Sequence, residues 1–445
     1  MRTRIALSLV LAACSVQAAP AQDLVTIDQA IRYGLQHNLE LRTGNEQLRT
    51  ARARLGAARS GHFPQLDARY FVQRSNNPLD VFAGKLNTRS VNPATDFTAS
   101  ALNDPGAATV NTAEIAVRLP VYTGGKIRAA IRGARDNARA AGFSMDRARQ
   151  DTIYRIMSAY YAAQAAVHNR QIASDAVAAA REHVDTTRRL VSEGRIVVSD
   201  RMTAELNLAT MESAHEKAVD RERLAFDQLK LAMGLPVNAH LELPPWQEPV
   251  ASPLPPLPGL EQQALATRQD LEAARSMLSA GDAAVEEAHA AFRPHVSVVA
   301  SSDWYSHNLG FSANSQSIIG VVSVNLFSGN RDTHELDAAR DRKSESELRV
   351  ENLEQQILNQ VRTAYYGLRE AMARRQIAAQ NVARARETVR LVKKRYGEGR
   401  TILLDVLNAE QLLIAAREEK LASSVDLAAG QAALELAEGT LAAPQ

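Results

Sequence analysis

The stretch RLPVYTGGK at residues 118–126 matches SVNLFSGNR at residues 323–331. Downstream of both stretches the same landmarks return at one constant shift, which still pairs Gly234 with Gly439. A shift that stays constant over so long a segment indicates two copies of one unit. The paired landmarks include Tyr160 and Tyr365, Glu193 and Glu398, Asp200 and Asp405, and Glu205 and Glu410.

The repeat predicts the domain organisation. The first copy is expected at residues 23–235 and the second at residues 259–441. Between them, residues 236–258 are rich in proline, which excludes helix and central strand, so this segment is a linker or a strap lying on the outside. The first copy is longer near its start, and a loop at residues 76–112 accounts for the difference.

The N-terminus predicts export. Residues 1–21 contain no acidic residue, begin with two arginines and continue with a short apolar run, which is typical of a signal peptide. The end of this signal has two interpretations. Ala19-Pro20-Ala21 suits ordinary cleavage, whereas Leu11-Ala12-Ala13-Cys14 resembles the lipobox of a lipoprotein, with residues 1–13 removed and Cys14 acylated.

Composition argues against several classes of function. Cys14 is the single cysteine, so no disulfide or thiolate metal site is expected. Lys and Arg total 52 against 50 Asp and Glu, which gives no reason to expect nucleic acid as a partner. The ten histidines lack metal-ligand spacing, and polar residues show no catalytic constellation. The sequence therefore predicts no enzyme, cofactor or metal site.

Each copy contains a very long helix followed by a shorter one. Residues 126–193 lack proline and place apolar or alanine residues at steps of three and four, and residues 336–396 do the same, which is coiled-coil spacing. About 68 residues rising 1.5 Å each give a helix of roughly 100 Å, longer than one globular core. The long helices end at EGRIVVSD (193–200) and EGRTILLD (398–405), where glycine suits a C-cap and aspartate an N-cap. Residues 28–60 are predicted to form one further helix.

Four segments alternate apolar and polar residues, as transmembrane β-strands do: residues 65–73, 114–121, 295–304 and 317–326. Surface strands of a soluble sandwich are the alternative interpretation. Four strands cannot close a barrel, which needs about eight, and lipid does not tolerate open sheet edges. Two chains would give eight strands filled with side chains, whereas three chains would give twelve strands with room for a lumen, and a duct favours three. The predicted fold is mainly α with a small transmembrane β-barrel, made of twelve strands from three chains, plus a coiled-coil helical tunnel.

Together these segments resemble the TolC family of outer-membrane efflux and secretion proteins. The matching motifs are TIDQAIRYGLQHN (26–38), LPVYTGGK (119–126), VNLFSGNR (324–331), EGRIVVSD (193–200) and EGRTILLDVLNAEQ (398–411). The resemblance implies a homotrimer whose barrel lies in outer-membrane lipid and whose helical tunnel lies in the periplasm. It also implies a periplasmic adaptor and an inner-membrane pump as partners, in efflux or type I secretion.

The resemblance further implies a site at the two turns, which would form the periplasmic aperture. Tyr396 and Asp200 stand at gating positions, and Asp405 stands at the outer ring of a cation-binding pair. The sequence departs from the family pattern at Asn408, which replaces the second acidic ring, and at Arg400, which lies one position before the expected gating arginine. The turn residues implied in adaptor docking are Gly194, Arg195, Gly399 and Arg400.

Two other classes of protein share some of these features. A periplasmic adaptor has one long hairpin flanked by soluble β-domains, whereas this chain has two copies with amphipathic strands inside them. A secreted structural coiled coil is the other option, which heat-modifiable migration in the membrane fraction would exclude. The sequence does not distinguish a drug, a metal ion or a protein as cargo.

Overall fold

The computed structural model describes residues 24–443, and the predicted signal peptide and Cys14 lie outside the described residues. The described chain is mostly helical, with one four-stranded antiparallel sheet, as predicted. No helix within residues 24–443 is both long enough and apolar enough to span a membrane. The elements are α1 (Ile27–His37), α2 (Leu39–Ser60), β1 (Gln65–Ser75), α3 (Pro78–Asn87), α4 (Pro93–Asp96), α5 (Ala99–Asn103), β2 (Ala108–Thr123), α6 (Lys126–Ser192), α7 (Val198–Met233), α8 (Leu257–Thr267), α9 (Gln269–His289), β3 (His295–Ser306), β4 (Ala313–Ser323), α10 (Arg331–Gly397) and α11 (Leu403–Glu438).

The helices α6 and α10 contain 67 residues each, and α7 and α11 contain 36 each. Equal lengths follow from the sequence, because the same apolar spacing and the same glycine terminators occur in both copies. The predicted single helix at residues 28–60 is wrong, since it is split between α1 and α2 at Asn38. The Asn38 side chain accepts hydrogen bonds from the backbone of Glu40 and Leu41 and donates one to Ala232 O at 2.9 Å, so it caps α2 and fixes the break.

The chain divides into two compact units. The first comprises Met1–Arg42, Ala148–Thr267 and Asn359–Gln445, as far as these are described, and contains the two turns. The second comprises Thr43–Arg147 and Arg268–Leu358, and contains the sheet.

The first unit has an apolar core that contains Tyr160. Tyr160 is buried among Ile31, Ile153 and Leu229, and its hydroxyl donates to Val25 O at 3.0 Å. Burial raises the pKa of Tyr160 to about 12. The proline-rich segment behaves as a strap on this unit, because Glu248 binds side chains of both α10 and α11: it accepts hydrogen bonds from Arg375, Lys420 and Ser424.

The sheet has the order β1-β2-β3-β4, and its register confirms the predicted faces. Arg69 lies opposite Glu114, and Glu114 lies opposite Asp303, so these polar residues share one face. Residues of the other face are mainly apolar, namely Leu66, Ala68, Tyr70, Val72, Ile115, Val117, Leu119, Val296, Val298, Trp304 and Ile318. Two predicted strand ends change. β2 extends from 108 to 123 with a register shift beyond Pro120, and β4 ends at Ser323.

The predicted loop at residues 76–112 is also corrected, because β2 begins at Ala108. The remaining connection, residues 76–107, is called the β1–β2 loop below. It contains α3, α4 and α5, whose N-caps Asn77, Asn92 and Thr98 each accept a backbone hydrogen bond. Side-chain caps rather than apolar periodicity start these short helices.

Candidate functional site

The two turns after the long helices have the same backbone geometry. Gly194 and Gly399 adopt left-handed φ angles of 70° and 71°. At the first turn the Arg195 N–H donates to Leu190 O and the Gly194 N–H donates to Val191 O, and the second turn repeats both bonds. This is the Schellman arrangement, so the predicted C-cap role of the glycines is confirmed. No atom lies within 4 Å of a Cβ added at either glycine, so backbone conformation and not space requires glycine there.

Each turn presents an exposed ion pair. Arg195 lies 3.4 Å from Glu193, and Arg400 lies 3.2 Å from Glu398. Exposed pairs of this kind contribute about 0–1 kcal/mol, so both arginines can exchange partners at little cost. Arg400 therefore contacts its own turn and not Asp200.

The predicted N-cap role of Asp200 and Asp405 is wrong. The N-caps are Val197 and Ile402, which have extended backbones and make no side-chain cap. Each aspartate falls three residues later, inside the first turn of its helix. There its negative charge faces the positive end of the helix dipole, which replaces capping as the local stabilising effect. Asp405 also accepts a hydrogen bond from the Thr401 hydroxyl.

Tyr396 lies where the ends of four helices meet. It packs against an apolar cluster of Val184, Ala204, Leu403 and Leu407, contributed by α6, α7 and α11. Burial raises the pKa of Tyr396, and the nearby charge of Asp200 raises it further. Asp200 thus lies near enough to influence the ionisation of Tyr396. The Tyr396 hydroxyl is buried and has no hydrogen-bond partner among the described residues.

Asn408 follows Asp405 by one helical turn, and both side chains are exposed on α11. Residues three apart on a helix share a face. The sequence-predicted ring positions therefore point to the same side of the helix, with only one of them charged.

A buried ionic link near the turns was missed by the sequence analysis. Glu410 of α11 lies 2.9 Å from His183 Nε2 of α6 and 2.6 Å from Lys393 Nζ of α10. The His183 and Glu410 side chains are only 12% and 14% exposed. Burial alone would raise the pKa of Glu410, but its hydrogen bonds to His183 and Lys393 outweigh this and hold the pKa below its ordinary value.

The repeat contained a signal for this link. Glu205 and Arg188 occupy the positions in the first copy that Glu410 and Lys393 occupy in the second. They also approach each other, at 3.9 Å, but both are substantially exposed. Only the carboxylate of the second copy is covered by a histidine, and this histidine, His183, comes from the first copy. The repeat therefore could have predicted the pairing of Glu410 with Lys393, but it could not have predicted that Glu410 is buried.

The arrangement at the turns can hold helix ends together or release them, but it offers no catalytic set. Among residues 24–443 no group of three or more metal-ligating side chains could hold a metal ion. A small sheet with one apolar and one polar face, joined to helices of 67 residues, is the pattern of a channel-forming membrane protein.

The sequence profile of the family described as Outer membrane efflux protein matches residues 30–235 and 260–440. The chain belongs to this family, and the predicted resemblance is confirmed. Members of the family are outer-membrane channels and not enzymes, and this chain is an outer-membrane protein.

Relatives and solved structures agree with this assignment. The chain is 25% identical over 298 residues to the alkaline protease secretion protein AprF of Pseudomonas aeruginosa, covering 66% of this chain and 62% of AprF. It is 32% identical over 171 residues to the cation efflux system protein CusC of Escherichia coli, covering 36% of each. The outer membrane protein VceC of Vibrio cholerae has the same fold, with a TM-score of 0.78 and 21% identity over 93% of this chain and 96% of VceC.

Proposed function

We propose that this chain is the outer-membrane component of a tripartite efflux pump or type I secretion system and acts as a passive duct across the periplasm. The observation that carries the proposal is the sheet with one apolar and one polar face. It occurs in a chain that belongs to the outer-membrane efflux protein family and whose longest helices contain 67 residues. An apolar outer face suits lipid, and a polar inner face suits a water-filled lumen.

A trimer is proposed because one chain cannot close a barrel. Within the described residues, β1 and β4 each pair along one edge only. Unpaired edges are not tolerated in lipid, and three chains would close twelve strands around a lumen. Ala-rich helix seams would complete the assembly. Ala371 is already buried within one protomer, so the partly exposed Ala138 is the better position for testing a seam between protomers.

The domain organisation stays as proposed from the repeat: residues 23–235, the strap at 236–258 and residues 259–441. The proposed maturation removes residues 1–21, or residues 1–13 with acylation of Cys14. Mass spectrometry of the mature N-terminus distinguishes these, because a diacylglyceryl cysteine supports anchoring and an N-terminus near Gln22 excludes it.

The partners proposed are a periplasmic adaptor, which would dock at the turns containing Gly194, Arg195, Gly399 and Arg400, and an inner-membrane pump. Gating is proposed for Asp200, Tyr396 and Arg400, with Asp405 and Asn408 at the cation ring. The names of AprF and CusC suggest two classes of cargo, a secreted protein and a cation. Both are compatible with a duct whose pump sets specificity.

Membrane fractionation and mass measurement of the purified protein test the proposal together. The mature chain should be found in the outer membrane, as a trimer that conducts ions in planar bilayers. Recovery in the soluble periplasmic fraction would exclude the duct, and a monomer that still forms pores would exclude the shared barrel.

A further inference from the structure

The β1–β2 loop is folded onto the sheet. Helix α3 packs over the ends of β1, β2 and β3, and a space of about 180 Å³ lies between them. Val81 of α3 is buried, and a Cβ added at Gly84 would lie 2.8 Å from Val110 Cγ2. The close approach requires glycine at this position, so the sequence of α3 is fitted to the strand beneath it.

Polar contacts fasten the loop internally and to the sheet. Asp96 is buried, accepts a hydrogen bond from Lys85 Nζ at 2.6 Å and accepts another from the Asn92 N–H at 2.7 Å. These donors hold the pKa of Asp96 below its ordinary value. His307 Nε2, just after β3, lies 3.0 Å from the hydroxyls of both Thr88 and Ser90. The middle of the loop is thus held to the sheet, and Asp96 ties the following segment back to α3.

The strand register shows which face of the sheet α3 covers. The strand residues around the enclosed space are Phe71, Gln73, Ser75, Ala108, Val110, Thr112, Asp303 and Tyr305. All of them lie on the face that carries Arg69 and Glu114. Charged side chains on the lipid face of a barrel are costly, so this polar face is the one directed to the lumen. This step rests on the proposed function.

The loop is large compared with the lumen. Twelve strands about 4.8 Å apart and tilted by about 40° close a ring with a radius of roughly 12 Å to the backbone. A helix with its side chains is about 10 Å across. Three copies of α3 on the inner face would therefore meet near the axis of the ring.

We infer that the β1–β2 loop is a lid that occludes the barrel at the end away from the long helices, giving the duct a second closure distinct from the aperture. The other hairpin supports this role by contrast. β3 and β4 are joined by residues 307–312 alone, so joining two barrel strands does not require a folded loop. The lid would restrict the size of solute that passes until α3 leaves the sheet.

Thiol labelling of intact cells tests the lid without depending on the aperture. Ser317→Cys places a thiol on the polar face below the loop, and Leu309→Cys places one on the β3–β4 turn, where the native side chain is 89% exposed. A bulky, membrane-impermeant maleimide is added outside the cells, and the chain without added cysteine gives the background. Each cysteine is combined with the native loop or with an Asn-Gly turn replacing residues 76–107, which joins the paired ends Ser75 and Ala108.

We expect Leu309→Cys to react rapidly in both backgrounds. We expect Ser317→Cys to react slowly with the native loop and about tenfold faster or more with the short turn, since removing a closed state removes its protection. Rapid reaction of Ser317→Cys with the native loop, or equally slow reaction in both backgrounds, overturns the lid while leaving the duct intact. Failure of Leu309→Cys to react places the turn away from the cell surface and overturns the proposed orientation instead.

A point substitution provides a second test that keeps the loop. Gly84→Val should push α3 from Val110 and accelerate labelling of Ser317→Cys. Gly106→Val is the matched control, because no atom lies within 4 Å of a Cβ added there. Equal labelling rates for the two variants, with both present in the membrane at native level, would overturn the lid.

Discussion

Glu410→Ala removes a buried carboxylate that joins three helices at the turns. Its contact with Lys393, which is 43% exposed, contributes about 0.2–1 kcal/mol. Its contact with His183 is largely buried, and losing it leaves a polar group without its partner at about 1–3 kcal/mol. A central value is about 2 kcal/mol, which corresponds to roughly a 30-fold change in an equilibrium constant.

If the aperture opens by separating these helix ends, the whole of the lost interaction energy shifts the equilibrium towards the open state. We therefore expect the open probability of Glu410→Ala channels in planar bilayers to rise roughly 30-fold at neutral pH. Glu205→Ala is the matched control, because it removes the exposed counterpart in the first copy. Its contacts with Arg188 and Arg201 are 3.9 and 3.7 Å long, so a change below about 0.5 kcal/mol is expected. Equal open probabilities for the two variants would refute the role of the buried link.

Three further predictions concern the same end of the duct. Because the pKa of Glu410 is lowered, its stabilisation of the closed aperture is fully present above the ordinary pKa of 4.5 and is lost as pH falls through the lowered pKa. Resting current should therefore rise in acid, and an identical rise in Glu410→Ala channels would contradict this. Three copies of Asp405 around one axis, within about 6 Å of each other, should bind a trivalent cation. Recordings should show that this cation blocks the pore more weakly than in relatives with two acidic rings, and that Asp405→Ala abolishes the block. Undiminished block in Asp405→Ala channels would leave Asp405 with a helix-dipole role alone. Tyr396→Phe combined with Arg400→Ser should raise resting conductance, because both side chains are proposed to act in gating. Unchanged conductance would place the closure elsewhere.

Features with a local period could be predicted from the sequence. The spacing of alanine and apolar residues predicts both ends of α6 and the C-terminal end of α10 to within one residue, although α10 begins five residues before the predicted segment. Strict alternation predicts which residues share a sheet face, since a register error of one would reverse both faces. Gly194 and Gly399 were recognisable because few residues other than glycine adopt left-handed φ angles.

Features that depend on distant segments could not be predicted in this way. His183 and Glu410 are 227 residues apart, and nothing near either residue indicates that the other will cover it. The N-cap error at Asp200 has a related cause. Aspartate favours both the cap and the first turn, and the chain places the extended backbone at Val197, three residues earlier.

The lid also affects how the ionic link at the aperture can be measured, and the link affects measurements on the lid. In the proposed duct an ion must pass both closures, so the two resistances act in series and the larger one sets the current. A closed lid therefore reduces the current gained when a mutation opens the aperture, although small ions still pass and the opening remains measurable. Recordings of Glu410→Ala and Glu205→Ala should accordingly be made with the native loop and with the short turn replacing residues 76–107. If both inferences hold, the effect of Glu410→Ala is larger with the short turn, because the aperture is then the only remaining resistance. If the increase is equal in the two backgrounds, the loop offers no resistance and the aperture alone closes the duct.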